Sequence, residues 1–295
     1  MQAAVIQINT HTEHNDGHCH HDLPEGSEES FRNIMIATLS EFCGTFMFLL
    51  LAFSATQIAD IERLDLIFEI PNTPDIEQVE GVTVERPNLP VLMFISLAFG
   101  VSLAAVVWVF YRVSGGMFNP VATLSLNLCT AISFPRTVCC IISQFVAAIA
   151  AAAVVMAMFP GSLNVGTRLN AGTPIVQGFF IEMFLTAMLV FTYIMLGCVK
   201  HRATYLPPLG VGLTGFITHL SGLYFTGASM NPARSLGPDA VVGSFPGYHW
   251  IYWFGPALGA GLAVAVYCIL IAAGFETCSP EQDAKRDPWD CPLCR

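Results

Sequence analysis

A chain of 295 residues that is 54 % hydrophobic and only 12 % charged lies far below the roughly 25 % charge of soluble domains, which excludes an ordinary soluble globule. Its net charge of −10 argues against nucleic acid as a partner. Residues 1–30 are polar, acidic and His-rich rather than basic and then apolar, so no cleavable signal peptide is expected and the first apolar span should remain as an anchor.

A helix needs about 20 residues to cross the hydrocarbon core, and six stretches are long enough: 34–56, 87–111, 137–167, 175–199, 203–233 and 248–272. Two further apolar stretches, 113–135 and 225–243, have no obvious room as full crossings. Lys and Arg near span ends favour the cytoplasmic side. If six helices alternate, Arg32, Arg112, Arg136, Lys200, Arg202, Lys285 and Arg286 all fall on one side. Both termini are then expected in the cytoplasm, and the opposite face receives a long loop, 57–90, in which eight acidic residues outnumber Arg63 and Arg86. The expected organisation is a disordered acidic tail over 1–32, a membrane domain over 33–273 and a second tail over 274–295. Six of the ten cysteines, Cys43, Cys129, Cys139, Cys140, Cys198 and Cys268, lie in or beside apolar runs, and four lie in tails placed in the cytosol. Reduced thiols are expected.

The membrane domain contains one pattern twice. "EFCGTFMF" opens the first span and "EMFLTAML" the fourth, pairing Glu41 with Thr45 and Glu182 with Thr186. Further on, "SGGMFNPVATLSL" recurs as "TGASMNPARSLGP". Repeat one covers 33–159 and repeat two 175–273. Three spans per repeat is an odd number, so the second copy enters from the other side. Such inverted repeats place the substrate site near the midplane, and interrupted hydrophobic segments at matching positions point to it.

Those interruptions are Asn119-Pro120-Val121 and Asn231-Pro232-Ala233. Proline suits the first position of a helix and Asn the residue before it, so each box reads as a helix that begins inside the membrane. Residues 120–129 would extend roughly 15 Å, about half the hydrocarbon thickness. Two such half-helices entering from opposite faces and meeting at their Asn-Pro ends would together act as a seventh crossing. Non-helical backbone at that depth survives only if buried in protein or lining a wet cavity, and each helix start carries unpaired N–H groups and partial positive charge. The expected centre thus favours a neutral, hydrogen-bonding molecule over a cation. Glu41 and Glu182 are intramembrane acids, which read either as a proton path or as braces for the backbone of each re-entrant loop; their symmetric placement favours bracing.

The tails hold candidate metal ligands, His11, His14, His18, Cys19, His20 and His21 at one end and Cys291 and Cys294 at the other. Imidazole and thiolate suit zinc or copper, yet a single CxxC supplies two ligands and His-rich tails commonly bind metal incidentally. No metal or other cofactor is expected.

On the two boxes, "NPV" and "NPA", the run "NPAR", the paired Glu residues, "SLAFG" and "HWIYWFGPALGA", the chain resembles the aquaporin family, also called major intrinsic proteins, over about residues 34–272. The first box departs with Val121 in place of Ala. The resemblance implies an all-α membrane fold of six transmembrane helices plus two re-entrant half-helices. It also implies a passive water channel that is not an enzyme, excludes protons and ions, and assembles as a homotetramer in a lipid bilayer, placed here in the plasma membrane. By the same resemblance the narrowest point is formed by Phe99, His219, Ala228 and Arg234. Glycerol-conducting relatives carry Gly for that His and Asp after the Arg, whereas this chain has His219 and Ser235. Tyr252 and Trp253 also look like the water-selective branch. Ala228 is small, and Asp239 stands where water-selective relatives often carry Ala, which leaves glycerol, hydrogen peroxide or ammonia as alternative solutes. A metal-linked transporter or sensor using the tails is a further alternative. The long acidic loop and "SFPGYHWIYW" look most like fungal members.

Overall fold

The computed structural model describes residues 29–69, 76–79, 82–85, 87–170, 172–199 and 205–278. The candidate tail ligands His11, His14, His18, Cys19, His20, His21, Cys291 and Cys294 lie outside the described residues, as do Lys200, Arg202, Lys285 and Arg286.

Among the described residues the long helices are α1 (Phe31–Glu69), α2 (Leu89–Ser114), α4 (Phe134–Met158), α5 (Ile175–Gly197), α6 (Pro207–Thr226) and α8 (Ile251–Ala272), with two short ones, α3 (Pro120–Leu128) and α7 (Pro232–Val242). Five of the long helices are apolar and long enough to cross a bilayer, α1 by its portion Phe31–Ala59. The sixth, α6, has 20 residues, about 30 Å of helix; its glycines, threonines and His219 lower its hydropathy without shortening it. The chain is an integral membrane protein of the expected all-α class.

The short helices confirm the reading of the Asn-Pro boxes. α3 and α7 have 9 and 11 residues, about 14 and 17 Å, so neither crosses alone. Each begins at the proline, with the preceding Asn extended and its side-chain oxygen capping: Asn119 accepts from Val121 N at 3.1 Å, and Asn231 from Ala233 N at 2.9 Å. The chain reaches them by breaking α2 and α6 on Gly115 (φ 94°) and Gly227 (φ 78°), both in the left-handed conformation that glycine adopts without strain.

One expectation needs correction. The segment 57–90 is not loop throughout, because α1 continues to Glu69 and a β-hairpin follows, β1 (Ile76–Val79) antiparallel to β2 (Val82–Glu85). The charges of "IADIERLDLIFE" mark the end of the apolar span, but Asp, Glu and Arg are compatible with helix. The helix stops two residues before Pro71, where a proline would break it.

The repeats meet where α2 packs against α6, while α1 packs on α4 and α5 on α8. Gly100 of α2 and Gly212 of α6 each stand nineteen residues before their Asn, and they face one another across the pseudo-two-fold. A Cβ on Gly212 would lie 2.8 Å from the Gly100 carbonyl oxygen and 2.3 Å from the Ala104 Cβ. With no hydrophobic force between helices in lipid, such close backbone approach supplies the packing.

Gly212→Leu is therefore expected to destabilise the folded protein by about 1–3 kcal/mol or more, the usual cost of overpacking, read as a lowered unfolding temperature in detergent. Gly261→Ala, at a position on α8 open to its surroundings, should leave that temperature unchanged.

Candidate functional site

The two connections into the short helices have the same conformation. Counting back from each Asn, the fourth, third and first residues have positive φ: Gly115, Gly116 and Phe118 in one, Gly227, Ala228 and Met230 in the other. Three of these six carry side chains, and a left-handed non-glycine residue costs on the order of 1–3 kcal/mol. Alternation of this kind turns successive N–H groups to one side and successive carbonyls to the other.

The N–H groups find the buried acids. Glu41 accepts from Met117 N at 3.1 Å and Phe118 N at 2.8 Å, and from Gln144 Nε2 at 2.8 Å. Glu182 accepts from Ser229 N at 2.9 Å, Met230 N at 2.7 Å and Thr226 Oγ1 at 2.6 Å. Three bonds per carboxyl, at about 1–3 kcal/mol each, outweigh the conformational cost of the loops. The Ser or Thr that opens each repeated motif is part of the same device: Ser114 Oγ takes the Gly116 N–H at 3.3 Å and Thr226 Oγ1 the Ala228 N–H at 3.1 Å.

The carbonyls face the other way, and here the two loops hold each other. Asn119 Nδ2 donates to the Met230 oxygen at 2.8 Å, and Asn231 Nδ2 donates to the Phe118 oxygen at 2.9 Å. This reciprocal pair ties the starts of α3 and α7 tip to tip. It also uses one hydrogen of each amide, leaving the second on each for a solute. The sequence does not reveal this cross-link, since nothing in the spacing shows that the residue before one Asn lies within reach of the other.

Beside the Asn pair is a narrow cavity, lined among others by Phe48, Asn119, Leu189 and Asn231, in which the centre of a water molecule has about 20 Å³ to move. A single water needs roughly 10–15 Å³ on that measure. Phe99, His219 and Arg234 close its far end. The Phe99 and His219 rings stack with centroids 4.1 Å apart, and the Arg234 guanidinium lies 5.2 Å from the Phe99 ring and 5.6 Å from that of Phe53. The Gly215 carbonyl lies 2.8 Å from His219 Nδ1; because a carbonyl only accepts, Nδ1 carries the hydrogen and Nε2, buried without a protein partner, presents its lone pair. Ala228 is fully buried in the loop, and a Cβ added to Gly222 of α6 would lie 3.5 Å from its Cβ.

The segment 159–174, between α4 and α5, completes that end. Arg234 Nη1 donates to the Val165 oxygen at 2.8 Å. Thr167 Oγ1 bonds Ser235 Oγ at 2.8 Å, and Gln57 of α1 donates to the Ser162 oxygen at 3.0 Å. Asp239, noted in the sequence only as a departure from water-selective relatives, is buried on α7 with Arg168 Nη1 at 2.7 Å and His249 Nδ1 at 2.9 Å, so it fastens this segment to the short helix that carries Arg234. Among the described residues no cluster of three or more metal-ligating side chains occurs.

The family model "Major intrinsic protein" matches residues 28–267. The chain belongs to the major intrinsic protein family, the aquaporins. Its similar sequences include Aquaporin-7 of Botryotinia fuckeliana, 49 % identical over 256 residues, which are 86 % of this chain and 54 % of that protein. Aquaporin-1 of Gibberella zeae is 45 % identical over 256 residues, 86 % of this chain and 75 % of that one. The chain spans about half the length of the first of these relatives. The X-ray structure of the aquaglyceroporin from Plasmodium falciparum shares the fold, with a TM-score of 0.65 at 17 % identity over 83 % of this chain and 99 % of that one. Aquaporins are channels rather than enzymes.

If the two acids brace the loops, Glu182→Gln exchanges one accepting oxygen for a donor and leaves a buried donor unpaired, at about 1–3 kcal/mol. The expected result is a lowered unfolding temperature in detergent, and Glu41→Gln should act alike; a proton path would instead change proton flux in liposomes with the melting temperature intact.

Proposed function

We propose that this chain forms a passive channel for water that excludes protons and cations. The observation that carries the reading is the reciprocal bond between the Asn boxes, which brings two helix N-termini together beside a cavity with about 20 Å³ open to the centre of a water molecule. Each N-terminus contributes about half a positive charge. Asn119 and Asn231 retain one amide hydrogen each for the oxygen of a passing water, while the single Arg234 offers permanent charge at one end. Exclusion by half-helix dipoles or an Arg is established behaviour of aquaporin-type pores. Magnitudes rank these parts: a charge at the bilayer centre costs from about 2.5 to more than 10 kcal/mol, whereas one neutral hydrogen bond is worth about 1 kcal/mol. The dipoles and Arg234 are therefore the main barrier, and the orientation of water by the two amides is the smaller one.

Phe99, His219 and Arg234 act in this reading as the selectivity filter, with the stacked rings leaving too little cross-section for a polyol. Ala228, buried in the loop before α7, is the fourth and smallest member of the proposed filter. His219 Nε2 accepts from a passing water and Arg234 donates to it. Lys and Arg placement assigns the face bearing Arg32, Arg112 and Arg136 to the cytoplasm, and with it both termini. The apolar outer side chains, Trp108, Phe184 and Phe254 among them, meet lipid or the neighbouring copies of a homotetramer. The plasma membrane is the proposed location.

Stopped-flow light scattering on proteoliposomes tests the reading. The expected result is osmotic shrinkage faster than bare lipid under an impermeant osmolyte, with glycerol uptake no faster than bare lipid. Arg234→Ala should keep the water flux and raise proton or sodium leak, measured with an entrapped dye; fast glycerol uptake by the unaltered chain would establish the broader solute range instead.

A further inference from the structure

The filter accounts for one end of the cavity; the other end is closed by a residue the family pattern did not point to. Beyond it, toward the face bearing Ser114 and Gly197, lies a second and wider chamber with about 280 Å³ open to the centre of a water molecule. Tyr193 of α5 lines both chambers. It is 5 % exposed, and its hydroxyl lies 3.2 Å from the Gly116 oxygen and 3.3 Å from the Met117 oxygen. A phenol has one hydrogen to donate, so this is one donor shared between two consecutive carbonyls.

Those carbonyls belong to the row that the left-handed loop turns away from Glu41, and the next in the row, on Phe118, is taken by Asn231. A water entering from the wide chamber must recover the hydrogen bonds it gives up, and it competes for the Gly116 and Met117 oxygens with the Tyr193 hydroxyl that they share. The repeat isolates this residue. Seven residues after each Glu stand Phe48 and Leu189, both lining the cavity; eleven after each stand Ala52 and Tyr193. Where one half of the molecule has a methyl group, the other has a phenol.

We propose that Tyr193 is a second, inner constriction in series with the filter, limiting both the rate and the size of what passes by keeping its ring between the chambers and its hydroxyl on the loop acceptors. The inference rests on the channel reading above. It makes the passage narrow at two points by different chemistry: a charged, aromatic-lined filter at one and a neutral phenol at the other.

Proteoliposomes separate the two claims. Tyr193→Phe keeps the ring and releases it from the carbonyls, and water flux per channel is expected to rise about fivefold, the factor that one neutral hydrogen bond predicts for an opening step. Tyr193→Val, which removes the ring, should raise it at least as much. With the filter opened by Phe99→Ala and His219→Gly, glycerol uptake should stay at the bare-lipid rate until Tyr193→Val is added. Unchanged water flux in both single variants beside a conducting unaltered chain overturns the proposal and leaves the channel reading intact, as does glycerol uptake by the filter variant alone. Bare-lipid flux from the unaltered chain and from both single variants overturns the two together.

Discussion

Two buried carboxyl groups, Glu41 and Glu182, take the backbone N–H groups that a re-entrant loop in a membrane cannot satisfy within itself. Lipid offers no hydrogen bonds, so a spanning chain that leaves the helix must find partners in protein. The left-handed residues at Phe118, Ala228 and Met230 make sense only with that support, because the alternation that strains them also sorts donors from acceptors. Donors point at the acids and acceptors at the passage. The backbone part of the cavity's hydrophilic lining, which the side chains of Asn119, Asn231, His219 and Arg234 complete, thus depends on two carboxyl groups outside that lining.

From that sorting follows the meeting of the half-helices. Once the carbonyls of Phe118 and Met230 face the centre, each is the acceptor for the opposite Asn amide, and the Asn oxygens remain as caps on their own helices. One residue type performs three tasks at each end: capping, cross-linking and presenting a spare donor. Asp has no amide hydrogen for the cross-link, and Gln has a longer side chain that is a poorer cap. This explains why the pattern requires Asn twice, a question spacing alone leaves open.

What the sequence revealed and what it hid divide along a physical line. Local chemistry was legible: Asn-Pro begins a helix, and a Glu at matching positions of an inverted repeat lies where it can serve each loop. The first half-helix, read as 120–129, is observed over Pro120–Leu128. Contacts between segments distant in sequence were not legible. Tyr193 sits in an apolar run as any core aromatic does, and its place between two chambers depends on how α5 lies against the loop before α3. Asp239 looked like a departure from the water-selective pattern, and its partners Arg168 and His249 come from two other segments. The overrun of α1 was missed for a different reason: charge marks the end of a membrane span, whereas only backbone chemistry such as Pro71 marks the end of a helix.

The repeat is symmetric in its frame and at its two Asn residues, and asymmetric at the positions that set the two ends of the passage. Arg234 stands opposite Ala122, Tyr193 opposite Ala52, and Ala228 opposite Gly116. The frame itself explains why the charge sits at only one end. A guanidinium in the membrane needs acceptors and polarisable faces, and Arg234 has the Val165 oxygen and the rings of Phe53 and Phe99. Val165 belongs to the junction between the repeats, which Gln57, Asp239 and Ser235 fasten over that end. A chain made of two repeats has one such junction, so only one end can be given a carbonyl from it. At the other end Ala122 stands in the place of Arg234, and a neutral phenol bonded to the loop's own carbonyls is a constriction that the inner half can support without a carbonyl from the junction.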